Sequence, residues 1–474
     1  MKNIILAGLF FAFLSLQAQE QTTYLKVRKI NFSNNKKTRP YVMLREMSFN
    51  EGDSIPGDKL DSILLANRLQ IFNLGIFNDI QVNIKNWEED SLDLIIKVYE
   101  KFPLSPGIIL QFADRNAAEW WRKYNHDFKR LQYGLILNYN NVSGRNDKLI
   151  GAISFGFAKR LDLGYIIPAF DSKKDNVGMA LFFNFLHSKR IAYNTLDNEL
   201  KYMDITAKAQ LIKTEFTASI NYRRELHNTH YFSVGYGFSK VSDYVLLANP
   251  EYFLDGVRKQ NYLKLGYVFE SDHRNLKAYP TNGWYIRMNF TNYGLGFMKT
   301  RMTTAGFMMS RYYEWKKHKK FSLGFSGRFQ VSWPFKQPYN LQPIKSFGYN
   351  DNLIRGYEVN VMDGQHFLLF KNEYRYRLFS FQLKNLKKIK NKNNKFLNSS
   401  LAFLPFNMYL TAYFDAGYVW DNAHYAQNSY RNKWQFGYGV GLNLVTFNQR
   451  LFRIEYSINR YLDKGVYLHF ELPF

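Results

Sequence analysis

The sequence predicts a membrane all-β fold: a sixteen-stranded antiparallel transmembrane β-barrel preceded by one small α+β domain of order β-α-α-β-β. Three observations predict it. The chain ends on an alternating strand in which Val466, Leu468, Phe470, Leu472 and Phe474 share one face and Tyr467, His469 and Glu471 the other. A two-residue period with one oily and one polar face suits a strand between lipid and a wet lumen. The same period recurs through most of the chain. Composition agrees: aromatic residues make up 18%, with 35 Tyr and 42 Phe, yet mean hydropathy is −0.38. No run reaches the ~18–20 apolar residues of a membrane helix.

Lys2, the apolar stretch Ile4 to Leu16 and Gln17-Ala18-Gln19 read as a secretory signal peptide over 1–18, cut near Ala18. The chain has no cysteine, which rules out a lipidated N-terminus, disulfides and thiolate metal sites. Net charge is +25, but residues 20–101 carry 12 basic against 12 acidic side chains, so the excess lies in the barrel. Spread over lumen faces and loops of an exported chain, it does not point to nucleic acid. Outer-membrane lipid and lipopolysaccharide headgroups at the rim, or an acidic or unfolded polypeptide in the lumen, are the expected partners.

Residues 19–102 form the first module. Leu25, Val27 and Ile30 alternate with basic residues in a strand that slips near Lys29. Thr38 is placed to cap a helix with Pro40 in its first turn and Tyr41 to Met47 following. Gly52-Asp53 and Pro56-Gly57 mark a turn. Leu60, Ile63, Leu64, Ile71 and Leu74 keep helical spacing until Gly75. Asp79 to Lys85 and Leu92 to Tyr99 alternate as two strands joined by Trp87-Glu-Glu-Asp90. This order, with Leu74-Gly-Ile-Phe-Asn-Asp-Ile80 running from helix to strand, resembles a polypeptide-transport-associated (POTRA) domain in the periplasm. The resemblance implies an exposed sheet edge that an extended peptide can join.

Residues 103–474 supply sixteen strand candidates: 105–113, 131–141, 147–157, 160–169, 177–187, 210–224, 229–240, 260–270, 283–292, 301–314, 320–333, 366–378, 407–420, 433–445, 450–459 and 466–474. An even count suits a closed bacterial barrel. Connections alternate between long ones (114–130, 188–209, 241–259, 334–365), expected outside, and short ones (142–146, 225–228, 446–449), expected in the periplasm. The exception is 379–406, which contains a basic stretch over Lys384 to Lys395 expected to be flexible and solvated. Alternation places Met408, Leu410, Ala412, Phe414, Ala416 and Tyr418 toward lipid, and Thr411, Tyr413, Asp415 and Gly417 inward. Lys371, Glu373, Arg375 and Arg377, and Arg453, Glu455, Ser457 and Asn459, also face inward, giving an ionic lumen.

The longest outer connection holds Asn352-Leu-Ile-Arg-Gly-Tyr-Glu358, followed by Asn372-Glu-Tyr-Arg375 and Tyr413-Phe-Asp-Ala-Gly417. Asp272-His-Arg-Asn275 and Tyr279-Pro-Thr-Asn-Gly283 precede it at a periplasmic turn. In this order after a POTRA-like module, the set resembles the BamA/TamA outer-membrane assembly superfamily (bacterial surface antigen family), across nearly the whole mature chain. Ile354 to Tyr357 match the family's loop-tip pattern, and Asp415 its inward aspartate, with Tyr413 where the family has Phe. The resemblance implies an outer-membrane protein of a Gram-negative bacterium that assists insertion of other barrel proteins. Its implied partners are unfolded clients or a secreted polypeptide, and periplasmic or lipoprotein subunits. Members usually carry several POTRA modules; a single copy suggests an accessory or specialised machine.

Residue chemistry leads to the same picture. An arginine on a loop folded into a barrel loses bulk water and wants a bidentate acid partner. Arg355 is therefore expected to pair with Asp415, with Glu373 near, Gly356 letting the backbone approach the wall and Tyr357 beside it; loop 334–365 then folds inward. The second feature is the seam. The first strand, with Pro106, Gly107 and Ile109, must close against the last, with His469 and Phe474. Pro106 cannot donate to a ladder and Gly107 adds freedom, so this junction is expected to part more easily than an interior pair, and an opened edge would template a client strand. The alternative is a short but permanently closed seam.

Catalysis is not expected. Only the leader precedes the module, leaving no space for the N-terminal lipase domain that some relatives carry. Gly324-Phe-Ser-Gly-Arg328 misses the nucleophile-elbow pattern and sits in a strand. Gly437, Gly439 and Gly441 have period two, a smooth lumen face rather than a phosphate loop. No helical His pair suggests a metal, and no cofactor is expected. The alternative functions are a secretion pore passing an unfolded polypeptide and a non-catalytic scaffold barrel binding surface partners.

Overall fold

The computed structural model describes residues 23–112, 120, 125–170, 176–204, 208–315, 317–318, 320–344, 346–349, 352–384, 403–421, 428–446 and 450–471. The expected signal peptide over 1–18, the seam residue Phe474 and Lys387 to Lys395 of the basic stretch lie outside these residues.

The first module contains β1 (Tyr24–Ser33), α1 (Pro40–Leu44), β2 (Ser54–Pro56), α2 (Leu60–Phe72), β3 (Phe77–Glu88) and β4 (Ser91–Glu100). Its sheet runs β2-β1-β4-β3, with β1 and β4 parallel at the centre and a register shift between Val27 and Lys29. Alternation buries Leu25, Val27, Leu92, Leu94, Ile96 and Val98 against Leu60, Leu64 and Ile71 of α2. Gly75, at φ +76°, turns the chain out of that helix. Two details differ from the sequence reading. Ser54–Pro56, read as part of a turn, pairs antiparallel with Tyr24 to Lys26. Thr38 does not cap α1: Arg39 holds the N-cap position without a side-chain cap bond, and the helix ends at Leu44. Thr38 is committed elsewhere, its N–H donating to Glu100 at 2.7 Å and its Oγ1 accepting from Asn141 at 2.9 Å.

The second module begins with β5 (Leu104–Phe112), β6 (Leu131–Asn140), β7 (Lys148–Gly156), β8 (Ala158–Ile167) and β9 (Val177–Ser188). A separate hairpin, β10 (Arg190–Leu196) and β11 (Glu199–Asp204), interrupts the series. Then come β12 (Leu211–Glu225), β13 (Asn228–Val241), a short helix α3 (Asp243–Ala248), β14 (Lys259–Asp272), β15 (Gly283–Tyr293), β16 (Met302–Glu314) and β17 (Phe321–Trp333). The last five are β18 (His366–Lys384), β19 (Phe403–Trp420), β20 (Trp434–Val445), β21 (Leu451–Asn459) and β22 (Lys464–Glu471). Leaving out β10 and β11, these form one 16-stranded antiparallel sheet in chain order, a β-barrel. β17, at 13 residues, ~3.3 Å per residue and a tilt of ~40°, crosses about 30 Å, the thickness of a bilayer core.

Faces follow the two-residue period. Leu410, Phe414, Tyr374, Phe452, Ile454 and Tyr456 are exposed outward, whereas Thr411, Asp415, Glu455 and Ser457 are buried within. The near end of the barrel, where the first module sits, has the turns after β6, β12 and β14; the far end carries loop 334–365. The near-end connection after β18 departs from the sequence reading. β18 and β19 stay laddered as far as Lys384 and Phe403, past a bulge between Arg377 and Phe379.

Candidate functional site

Loop 334–365 enters the barrel because both its apolar tip and the wall beneath are shaped for it. Phe347 and Met362 bridge antiparallel and, with Ile354 and Tyr357, pack on Phe367, Leu369 and Val419 of the wall. The period-two glycines leave room for backbone. A Cβ on Gly437 would stand 1.8 Å from the Arg355 carbonyl oxygen, and one on Gly417 2.4 Å from Ile354 Cδ1. Gly356 adopts φ +95°, which a side chain resists; its carbonyl accepts from Asn459 Nδ2 at 3.2 Å. The Tyr357 hydroxyl donates to Gln435 at 2.9 Å and accepts from the Arg460 N–H at 3.3 Å.

Arg355 is buried, and its donors are taken up by the wall. Nε and Nη2 grip Asp415 bidentately at 2.9 and 2.7 Å, and the Arg355 backbone N–H donates to the same carboxylate at 3.1 Å. Nη1 reaches Glu373 at 2.9 Å and Glu455 at 3.4 Å, and Nη2 also meets the Asn372 carbonyl at 3.3 Å. The guanidinium lies 3.7 Å from the centre of the Tyr413 ring. The structure thus brings Arg355, Gly356, Tyr357, Asp415 and Glu373 together, the fork-and-stack geometry that arginine provides and lysine does not.

The polar chain continues to the near end. Arg375 Nε donates to Glu373 at 2.7 Å, and its Nη1 to the Pro280 carbonyl at 2.7 Å; its guanidinium stacks over Tyr279. Asn443 donates to both the Tyr279 hydroxyl (3.0 Å) and Glu373 (3.3 Å). The turn after β14 therefore projects its Tyr279-Pro280 tip into the lumen. Its motif residues build it: Asp272 pairs with Arg274 through two 2.8 Å bonds, and Asn275 Oδ1 accepts the N–H groups of Leu276, Thr281 and Asn282.

The first module docks on this turn and on two others. Asn73, following α2, donates to the Asn275 carbonyl at 3.2 Å and accepts from the Lys277 N–H at 3.2 Å. Glu46 takes a bidentate bond from Arg223 at 2.7 and 2.8 Å. Burial alone would push the Glu46 carboxyl up, but the Arg223 hydrogen bonds and charge outweigh it and hold it below the ordinary carboxylate value. Lys37 donates to the Tyr139 hydroxyl at 3.0 Å, and the Arg39 N–H to the Gly144 carbonyl at 3.0 Å.

The seam residues sit apart from this network, with one exception. Pro106 and Gly107 face Leu137 and Ile136 of β6, and Ile109 lies on the inward parity of β5. Among the described residues no ladder pair joins β5 to β22, whereas every other neighbouring pair in the sheet has one. The two most exposed apolar side chains of the sheet lie on these two strands: Ile108 is 83% and Leu468 72% exposed, against 44% for Phe414 within the sheet. The exception is His469, whose Nε2 lies 3.4 Å from Glu455 and 3.6 Å from Glu358. Glu358, on the inserted loop, also accepts the Gly356 N–H at 2.9 Å. The last strand thereby lies beside the loop, within ion-pair range of its Glu358 carboxylate. Sequence reasoning placed Glu455 on the lumen face but did not join it or Glu358 to the site; their spacing alone carries no such signal. Among the described residues no group of His, Asp and Glu is arranged to hold a metal.

A family model described as an Omp85 superfamily domain matches residues 141–472. A POTRA model, described as a surface antigen variable number repeat, matches residues 25–101. Among solved structures, BamA from Haemophilus ducreyi lacking POTRA domains 1–3 is 15% identical, with a TM-score of 0.50 over 94% of this chain and 84% of that one. CdiB from Escherichia coli is 11% identical, with a TM-score of 0.54 over 94% of this chain and 75% of that one. At these identities the likeness is one of fold. No curated protein matches the sequence.

Proposed function

The chain belongs to the Omp85 superfamily and lies in the outer membrane of a Gram-negative cell with its POTRA module in the periplasm, and from this premise we propose that it inserts other barrel proteins through the β5–β22 seam. The family-level role is outer-membrane protein assembly or secretion, carried out by non-catalytic transport and assembly factors. The finer reading is that the POTRA module receives an unfolded barrel client, β5 offers its free edge as a template, and β22 swings to admit the new strand. The observation that carries it is the seam: two neighbouring strands without a ladder among the described residues, flanked by fourteen that are laddered on both sides. An unpaired edge in hydrocarbon leaves N–H and C=O groups unsatisfied, so it favours any strand that can pair with it. Loop 334–365, pinned by Arg355, keeps the lumen filled while the wall opens. Lipid, lipopolysaccharide and periplasmic or lipoprotein subunits are the further partners this reading implies.

A polypeptide secretion pore is the second reading, favoured by the mixed-sign lumen, which could pass an unfolded chain. The inserted loop and the Tyr279-Pro280 tip both occupy that path and count against a standing pore. Depletion followed by outer-membrane proteomics separates the two. Loss of several barrel proteins supports insertion; loss of one exported protein with all barrels retained would reject it.

A further inference from the structure

We propose that the protruding β18–β19 ribbon is a lipid-binding element that beds its aromatic face into the anionic headgroup layer of the periplasmic leaflet. The inference is independent of the seam. β17 pairs with β18 only as far as Phe321 opposite Tyr376, and β20 with β19 only as far as Val445 opposite Asn407. Beyond those points β18 and β19 pair with each other alone, to Lys384 opposite Phe403. At ~3.3 Å per residue β18 runs about 26 Å past its last pair with β17, and β19 about 13 Å past its last pair with β20.

Its outward face is apolar by construction. Tyr374 and Tyr376 face lipid, and strict alternation would turn Phe379 and Phe381 into the lumen. The bulge at Leu378 resets the phase, so Phe379 falls opposite Met408 and Phe381 opposite Phe406, on the lipid-side column. Phe381 stacks on Phe406 at 5.3 Å with the rings 11° from parallel, and Phe379 lies 5.7 Å from Phe381. The neighbouring strands meanwhile end in exposed Tyr313, Trp315 and Phe321, an aromatic girdle that marks the edge of the hydrocarbon. Phe379 and Phe381 lie past that edge, yet they remain 44% and 45% exposed with the POTRA module in place. Such a patch in water calls for a cover.

Charge and continuity select the cover. The sequence that joins the two strands carries Lys384, Lys387, Lys388, Lys390, Lys392 and Lys395 with no acid among them, whereas residues 20–101 are neutral. Aromatic side chains continuous with the lipid belt, next to a purely basic sequence, match an anionic membrane surface, whose attraction grows with each lysine.

The chain lacks cysteine, so Phe381→Cys and Ser380→Cys each give the full-length protein one site for an environment-sensitive fluorophore. Each variant is reconstituted in nanodiscs of phosphatidylcholine alone or with one third phosphatidylglycerol, and heat-modifiable gel mobility checks that the barrel has folded. Headgroup spin-labelled lipid is expected to quench the label at 381 about threefold more when anionic lipid is present, while the label at 380 follows aqueous iodide in both. Equal iodide access at 381 and 380 would overturn the proposal, as would equal lipid quenching in the two lipids. Protection of 381 that arises only on adding an unfolded barrel-protein peptide would overturn it too, making the ribbon a client surface.

Discussion

Replacing Arg355 by alanine tests the plug most sharply. The change leaves Asp415, which is fully buried, without the fork that occupies both its oxygens. Glu455 loses its only arginine at hydrogen-bond range among the described contacts, while Glu373 keeps Arg375. Breaking a buried pair by removing one partner costs about 3–5 kcal/mol. The loop retains its apolar seat on Phe367, Leu369 and Val419, so the penalty falls on loop release before barrel unfolding. At about 3 kcal/mol the open population rises ~150-fold. Exchange of the Val361 and Met362 amides, which donate to Asn198 and Phe347, reports that opening and is expected to accelerate by about two orders of magnitude. Arg355→Lys keeps the charge but loses the fork and is expected to cost about half as much. In a double-mutant cycle with Asp415→Asn, a coupling energy of about 2 kcal/mol or more is expected; additivity within ~0.5 kcal/mol would refute the pairing as the source of the effect.

Other outcomes follow from the same geometry. Gly437→Val drives a side chain into the Arg355 carbonyl, so the loop should become protease-sensitive, whereas Gly151→Ala, whose added Cβ meets nothing within 4 Å, should change protection little. Arg375→Met frees the Tyr279-Pro280 tip, and single-channel recordings should show longer openings than the parent; unchanged conductance would separate that tip from lumen closure. Glu46→Gln should loosen POTRA docking by about 2–3 kcal/mol, because Arg223 loses its ionic partner, read as a broadened spin-label distance between α2 and the barrel. Because the folded Glu46 carboxyl lies below its unfolded value, its contribution is whole above pH 4.5 and is lost as the pH falls below it. The parent distance should therefore broaden in acid, and that of the Gln variant should not change further.

Much of this architecture is legible in the chain, and the failures have physical causes. The two-residue period places all sixteen strands, fifteen of them to within four residues at either end, because lipid and lumen force opposite chemistry on alternate side chains. It also puts Glu373 and Asp415 on the face that Arg355 meets. The period fails where the backbone breaks it: the bulge at Leu378 ends the pattern at 378 although the strand runs on to Lys384. The β10–β11 hairpin is missed inside 188–209, yet it carries a signal, since Asp197 and Asn198 both adopt positive φ, as a tight hairpin turn requires. Glu358 and Glu455 join the site only through register and loop path, which no local pattern encodes. Thr38 has the right side chain for a cap, but long-range bonds to Glu100 and Asn141 claim it first.

The most direct measurement concerns the junction between β5 and β22. Cysteine pairs scanned across lumen-facing positions of β5 and β22, Ile109 with Tyr467 among them, would be the only thiols in the chain, and the pair that oxidises fully would close the seam reversibly. In proteoliposomes supplied with an unfolded barrel client, the oxidised form is expected to lose insertion at least tenfold and the reductant to restore it. Insertion at the parent rate with the disulfide fully formed would contradict delivery through the wall.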